Sequence, residues 1–486
     1  MKRLNLPKKI IFTLIVVILS LGAAACGAQQ AKQNEQTAEK KELTTKQNEV
    51  HVAVEGNDES GNGSEDAPYA SISKAANANP GSLIIVHGGD YSPVELGPDC
   101  SGSQDSPTII RTMEGEKVVV VGEGGKVIAL KNVRNISIEG LETEGGTHGI
   151  EYSSTREAGE EPLNNITIKN CKVHGVRGIH GINVYANNDL APVSDLTIEG
   201  CEVYDCECGS SESLVLNGNI DGFLIAENVI HDNNNIGIDM IGFEGLAMHP
   251  EENTDKNPYE FDQTRNGICR DNLIYNISTE GNSYYFEDGE YDPCADGIYV
   301  DGGKDIEIYN NFIFNCDIGI EVATEHKPEE NELFKVSGIR VYDNVIADCK
   351  GYTALCFGGY DKDLGFTEEC EFDHNTLVDN ECQIAVQRSR DNKIHANLIL
   401  GGESGVEFCE ECDKKDMVND ISGNVAAEIG DEESWSSEYG KAYADRTKTA
   451  DGFRSLIKDV GSGFVPDKEM QELYQEQKGQ EKQNNK

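Results

Sequence analysis

One short pattern returns along most of this 486-residue chain and constrains everything else about it. NNITIKNCKVHG, VSDLTIEGCEVYD, GFLIAENVIHD, NGICRDNLIYN, KDIEIYNNFIFN, VSGIRVYDNVIAD and CEFDHNTLVDN each run apolar-x-apolar, a polar corner, apolar residues and a turn. They align at Cys171, Cys201, Asn228, Asn272, Asn311, Asn344, Asn375 and Asn397, in steps of 30, 27, 44, 39, 33, 31 and 22 residues. The segments are rich in Val and Ile, alternate with period two and end in Asn, Asp or Gly, which is strand and turn chemistry. The smallest step is one bare coil; the larger steps are coils carrying inserted loops. A repeat this small cannot bury its own apolar face and becomes stable by stacking on its neighbours. The expected fold is all-β, a right-handed parallel β-helix.

Two structural readings suit the aligned Asn residues. A polar side chain at a coil corner can bond to its equivalent in the next coil, about 4.8 Å away. Asn also tolerates the left-handed backbone of tight turns. Two places further on, Ile230, Ile274, Ile313, Ile346, Leu377 and Ile399 are expected to form an aliphatic stack inside the coil.

The chain begins with basic MKRLNLPKK, an apolar run over residues 10–25 and then Ala23-Ala24-Ala25-Cys26-Gly27. This resembles a bacterial lipoprotein signal over residues 1–25, with Cys26 as the lipidated residue, because the run is too short to span a bilayer. Residues 26–49 are rich in Gln, Lys, Glu and Thr and form a flexible tether. The β-helix is expected over 50–424, followed by a polar tail over 425–486 in which FRSLIKDV could form a short helix. The protein is therefore expected outside the cell, held to the membrane by its lipid alone, and is expected to be a monomer.

The formal charge is −46, and losing the four basic side chains of the signal takes it to −50. Such a surface repels phosphate and argues against nucleic acid as a partner. It also repels an acidic polysaccharide unless a cation bridges the two. Fifteen Cys are present. Stacked side chains point the same way, which disfavours the disulfide torsion, so buried thiols are expected for most of them. CEEC at Cys409–Cys412 could be a redox or metal pair.

Residues 51–91, HVAVEGNDESGNGSEDAPYASISKAANANPGSLIIVHGGDY, resemble the opening module of the pectate-lyase-like β-helix superfamily. SISKAANAN would be the short capping helix that covers the open end of the stack, and Gly88-Gly89-Asp90-Tyr91 the end of the following strand. The resemblance continues through the coils to about residue 410 and is nearest to polysaccharide lyase family 9 and its uncharacterised relatives. The same scaffold hosts lyases, hydrolases, epimerases and adhesins, so activity must be argued from particular residues.

In strands that begin Gly-Ile, the Ile points inward and the next residue outward. The outward residues are then Glu151, Asn183, Asp239, Tyr299, Glu321, Cys356 and Ala385. Asp239, Asp301 and Glu321 fall on one sheet face in three successive coils, with Asp296 at a strand entrance. Either they share a cation or they are a solvated acidic face. Insertions at 243–264, 276–293 and 325–335 flank this face and would wall a groove. Glu244, Tyr284 and Tyr285 within them are candidate substrate contacts, the tyrosines by stacking on sugar rings.

The resemblance implies cleavage of an acidic, plant cell-wall type polysaccharide by β-elimination. Calcium on Asp239, Asp296, Asp301 and Glu321 would neutralise a uronate carboxylate. A lysine would be the base: Lys327, with His326 in reserve, while Arg265 clamps a substrate carboxylate. Family 9 lyases carry paired Asp residues where this chain reads GIDMIGFEG and ADGIYVDGG, with isolated acids. Three alternatives stay open: a glycoside hydrolase using Asp239 with Glu321 or Asp301, a uronate epimerase, and a non-catalytic carbohydrate-binding surface protein.

Overall fold

The computed structural model describes residues 47–251, 253, 255–359, 364–427, 444–447 and 464–484. The signal, Cys26, nearly all of the tether and the FRSLIKDV segment lie outside the described residues. Among the described residues, three long sheets of 15, 11 and 13 strands run the length of the molecule. Within them each strand pairs in parallel with the equivalent strand of the next coil, as in Ile166 with Leu196 and Ile274 with Ile313. This is the parallel β-helix expected from the repeat.

The aligned asparagines form a continuous ladder in the turn before the 13-strand sheet. The Nδ2 amide of Asn228 donates to Oδ1 of Asn272 at 3.0 Å, Asn272 to Asn311 at 2.9 Å and Asn311 to Asn344 at 2.9 Å. Asn344 donates to Asn375 at 2.9 Å, Asn375 to Asn397 at 3.0 Å and Asn397 to Asn424 at 2.9 Å. Each Oδ1 also accepts the backbone N–H of the preceding rung, as Asn311 does from Asn272 at 3.0 Å. The left-handed backbone belongs to the residue before each rung: Asp271, Asn310, Asp343, His374 and Ala396 have φ between 54° and 57°. The ladder and the strained turn are thus neighbouring devices at each corner, carried by different residues.

Inside, Ile230, Ile274, Ile313, Ile346, Leu377 and Ile399 stack in register and are fully buried. Burying such a side chain is worth about 1.5–3 kcal/mol. At the N-terminal end the helix Ile72–Ala78, capped by the Ser71 side chain, lays Ile72, Ala75 and Ala76 over the core. Twelve of the described cysteines are free thiols, eleven of them buried, and Cys409 is bonded to Cys412.

Beyond residue 424 the chain continues into structure where a polar tail was expected. Asn424–Ala427 pairs with Leu398–Leu400, and Ala444–Thr447 adds one further strand. The helix Lys468–Asn484 brings Tyr474 onto Phe312 and Phe314, on the outside of the 13-strand sheet. The reason is the sheet: Leu273, Tyr275, Phe312, Phe314 and Val345 make an outer apolar patch that a neighbouring element must cover.

Replacing Asn311 by Ala strips the acceptor from Asn272 and leaves buried donors unpaired, which is expected to cost about 3 kcal/mol or more in denaturant unfolding. Asn310→Gly, at the left-handed position beside it, is expected to change stability by less than about 1 kcal/mol.

Candidate active site

The outer face of the 11-strand sheet is arranged in rows. Ile150, Ile182, Leu214, Ile238, Ile298, Ile320 and Leu355 align across neighbouring strands and point into the core. One residue later, Glu151, Asn183, Val215, Asp239, Tyr299, Glu321 and Cys356 make the outward row. Two residues before the inward row stand His148, His180, Glu212 and Asp296; three after it stand Ser153, Tyr185, Asn217 and Asp301. Asp239 and Glu321 therefore flank Tyr299, one strand away on either side.

Inserted loops close both edges. At the ends of these strands, the loops after Ile238–Ile241 and Ile318–Ala323 pack on each other. Asn257 and Asn331 exchange amide bonds at 2.8 and 3.0 Å, and Phe334 lies 4.8 Å from Tyr259 and 5.3 Å from Phe243, centroid to centroid. Asp262 ties the first loop by accepting the N–H groups of Gly245 and Ala247 at 2.6 and 2.9 Å. At the strand entrances, Asn282 anchors the second loop by donating to the Gly209 and Asn234 carbonyls at 2.7 and 2.8 Å. A short antiparallel hairpin, Phe286–Glu287 with Glu290–Tyr291, projects from that loop.

Between these walls the carboxyls act on one another. Burial pushes Asp239, Asp296 and Asp301 well above the usual carboxylate range, and neighbouring acids push in the same direction: Glu212 on Asp239, Glu321 on Asp296 and Glu325 on Asp301. Burial likewise lifts Glu321 to about 7 and Glu212 to about 8. The strongest charges acting on each of these five are other carboxyls, with no Lys or Arg among them. Glu321 also bonds to Asp296 and to the Cys356 thiol. His180 is buried and drawn down to about 4; its Nδ1 lies 3.1 Å from the Glu212 carbonyl and its Nε2 meets the Tyr185 hydroxyl. Several buried polar atoms on this face lack a protein partner: Asp239 Oδ1, Asp296 Oδ1, Asn217 Oδ1, Asn235 Oδ1 and both amide atoms of Asn183. Buried polar groups are nearly always paired, so these unpaired atoms distinguish this face from the rest of the coil surface.

The four acids expected from the sequence are thus brought to one groove. They do not fit a calcium cage: among the described residues no three His, Cys, Asp or Glu side chains converge as an ion requires. Lys327 lies half-buried on the exit loop, where the carboxyl it influences is Glu329. His326 is engaged with Glu244, 3.2 Å from its carboxylate. Arg265 is turned to the neighbouring 15-strand sheet, paired with Asp221 at 3.2 Å and donating to Asn219 at 3.0 Å and the Gln263 carbonyl at 2.9 Å. Tyr284 stands 70% exposed on the entrance wall, while Tyr285 accepts from Asn235 at 3.0 Å.

Glu212 escaped the sequence reading because its strand, Leu214–Gly218, opens Ser-Leu where its neighbours open Gly-Ile. The signal was the offset: Glu212 stands two residues before the inward residue, as His180 and Asp296 do in their coils.

Comparison with known proteins fits this architecture. The chain is 30% identical over 449 residues to the uncharacterised protein YwoF of Bacillus subtilis, spanning 84% of this chain and 87% of that one. The chain belongs to the YwoF family. A family model described as periplasmic copper-binding protein (NosD) matches residues 255–440. Pectate lyase PEL9 of Emericella nidulans is 26% identical over 196 residues, 35% of this chain and 46% of that one. The GH136 lacto-N-biosidase of Eubacterium ramulus superposes with a TM-score of 0.55 at 15% identity, covering 82% of this chain and 70% of that one, a likeness of fold. This YwoF-family chain is thus a pectate-lyase-like parallel β-helix.

The raised carboxyls couple stability to pH. With Glu212 at about 8 and Glu321 at about 7, the folded chain holds protons that the unfolded chain has already released above its ordinary carboxylate range. Stability is expected to be fully present at pH 4 and to fall as pH rises through 7 to 8. Thermal melts should show a lower midpoint at pH 8 than at pH 5, and Glu212→Gln should recover part of the loss at pH 8 with little effect at pH 5.

Proposed function

We propose that this YwoF-family protein cleaves glycosidic bonds of an extracellular polysaccharide with two carboxyls of its groove, while tethered to the cell surface through Cys26. One observation carries the reading: Asp239 and Glu321 flank Tyr299 in a single outward row inside walled loops. Their spacing, about 10 Å at Cα, leaves the carboxyl groups room for a sugar and a water, as in inverting glycosidases where about 6.5–9.5 Å separates the pair. Asp239, held well above the usual carboxylate range by burial and by Glu212, keeps a proton for the departing oxygen at neutral pH. Glu321, at about 7, is ionised in part at neutral pH and receives the proton of the attacking water. The surrounding acids favour the positive charge that develops on the sugar ring. Tyr284 offers an exposed ring on which a sugar can stack.

The second reading is β-elimination from a uronic-acid polymer, favoured by the sequence similarity to pectate lyase PEL9. It would use Lys327 as base and a cation at the substrate carboxylate.

The deciding experiment incubates the chain lacking residues 1–26 with neutral, amino-sugar and uronic polysaccharides, with calcium or chelator. It follows both new reducing ends and the ultraviolet absorbance of unsaturated ends. New reducing ends without unsaturation are expected. Asp239→Asn and Glu321→Gln should each lose about 10²–10⁴-fold in rate with the fold intact, and Lys327→Ala should retain activity. A calcium-dependent ultraviolet rise abolished in Lys327→Ala would replace hydrolysis with elimination.

A further inference from the structure

We propose that the groove selects a glycan bearing free ammonium groups, an amino-sugar polymer without N-acetylation, in preference to a uronic-acid polymer. The inference rests on reading this face as a glycan site and adds the substrate's charge. Its first support is the composition of the site. Glu212, Asp239, Asp296, Asp301, Glu321 and Glu325 gather on one face, and other acids are the strongest charges on each. Several nearby cations are already engaged: Lys126 with Glu151, Arg156 with Asp189 at 2.6 Å, Arg265 with Asp221, and Arg388 with Glu329 at 2.7 Å. A uronate entering the row would meet the acids themselves, a juxtaposition that disfavours binding, and the Lys327 ammonium stands outside the row on the exit loop, near Glu329.

The second support is independent of charge and concerns hydrogen-bond polarity. The unpaired buried atoms around the acids are mostly oxygens: the carboxyl atoms Asp239 Oδ1 and Asp296 Oδ1, and the amide acceptors Asn217 Oδ1 and Asn235 Oδ1. Asn183, completely buried on the outward row, adds one acceptor and one donor. A ligand that satisfies such a set must be rich in donors, and an ammonium group supplies three N–H donors and no acceptor. A carboxylate supplies acceptors alone and would leave the same atoms unpaired. At the exit wall Glu325 and Glu244 influence each other and Asp301, and both are exposed enough for a ligand cation to reach.

The test is calorimetric titration of the chain lacking residues 1–26 with glucosamine hexamer, its N-acetylated counterpart, galacturonate hexamer with and without calcium, and hexalysine. The glucosamine hexamer is expected to bind at least about tenfold more tightly than the N-acetylated hexamer, with affinity falling as salt rises. The double variant Glu244→Gln, Glu325→Gln should lose most of that preference. Equal affinity for the two hexamers, tighter binding of galacturonate with or without calcium, absence of binding, or hexalysine binding as tightly as the glycan would each overturn the proposal. Failure here is separable from failure of the hydrolase reading. Glucosamine hexamer bound but never cleaved sinks hydrolysis alone, and cleavage of a neutral glycan without amine preference sinks the ammonium proposal alone.

Discussion

The asparagine ladder is the interaction on which the rest of the molecule depends. Each rung takes the backbone N–H and side-chain amide of the rung before it and passes its own amide onward, from Asn228 to Asn424. A β-helix has no local hairpin to set the register of its coils, so loops of very different lengths threaten to let strands slip. A one-residue slip would turn an inward isoleucine outward. A buried amide that must find its equivalent one coil away makes such a slip costly, because every rung left unmatched strands polar groups in the interior. That is why steps as unlike as 22 and 44 residues still stack in register.

The groove follows from that register. Once the inward row from Ile150 to Leu355 is held, the next residue of every strand points outward at a spacing of one strand, whatever its chemistry. Acids placed there are forced together in a half-dry trough, and burial raises them toward their protonated forms. The long loops fall after the strands that carry Asp239 and Glu321 and before the strand that carries Asp301, so function is added at coil corners without disturbing the stack. Phe243, a non-glycine residue at φ 76°, stands at one such corner and packs its ring on Phe334. Backbone strain of this sort persists where the surroundings enforce it.

Much of the fold was legible beforehand, since the repeat is periodic and its aliphatic positions recur at fixed offsets. The capping helix was legible too, through Ser71 and the apolar spacing after it. The site was legible in part. Asp239, Asp296, Asp301 and Glu321 could be brought together by counting from Gly-Ile, whereas Glu212 could not, because its strand opens Ser-Leu and the count passed over a whole coil. Arg265 sits beside the groove in sequence but turns to Asp221 on another sheet, because the strand that begins at Thr264 belongs to the next face of the coil. Lys327 lies in the right loop, which packs on the first insertion through the Asn257–Asn331 and Tyr259–Phe334 contacts and sets Lys327 near Glu329.

By itself the sequence determined the parallel β-helix, the ladder, the aliphatic stack, the acidic character of the groove and the positions of the insertions, because each is a matter of composition at a repeating offset. The tertiary structure alone decided which charges remain unpaired, which carboxyls are driven to hold protons, and how the chain after residue 424 covers an apolar patch on the sheet. Those outcomes depend on burial and on distances between residues far apart in the chain. No local pattern encodes them.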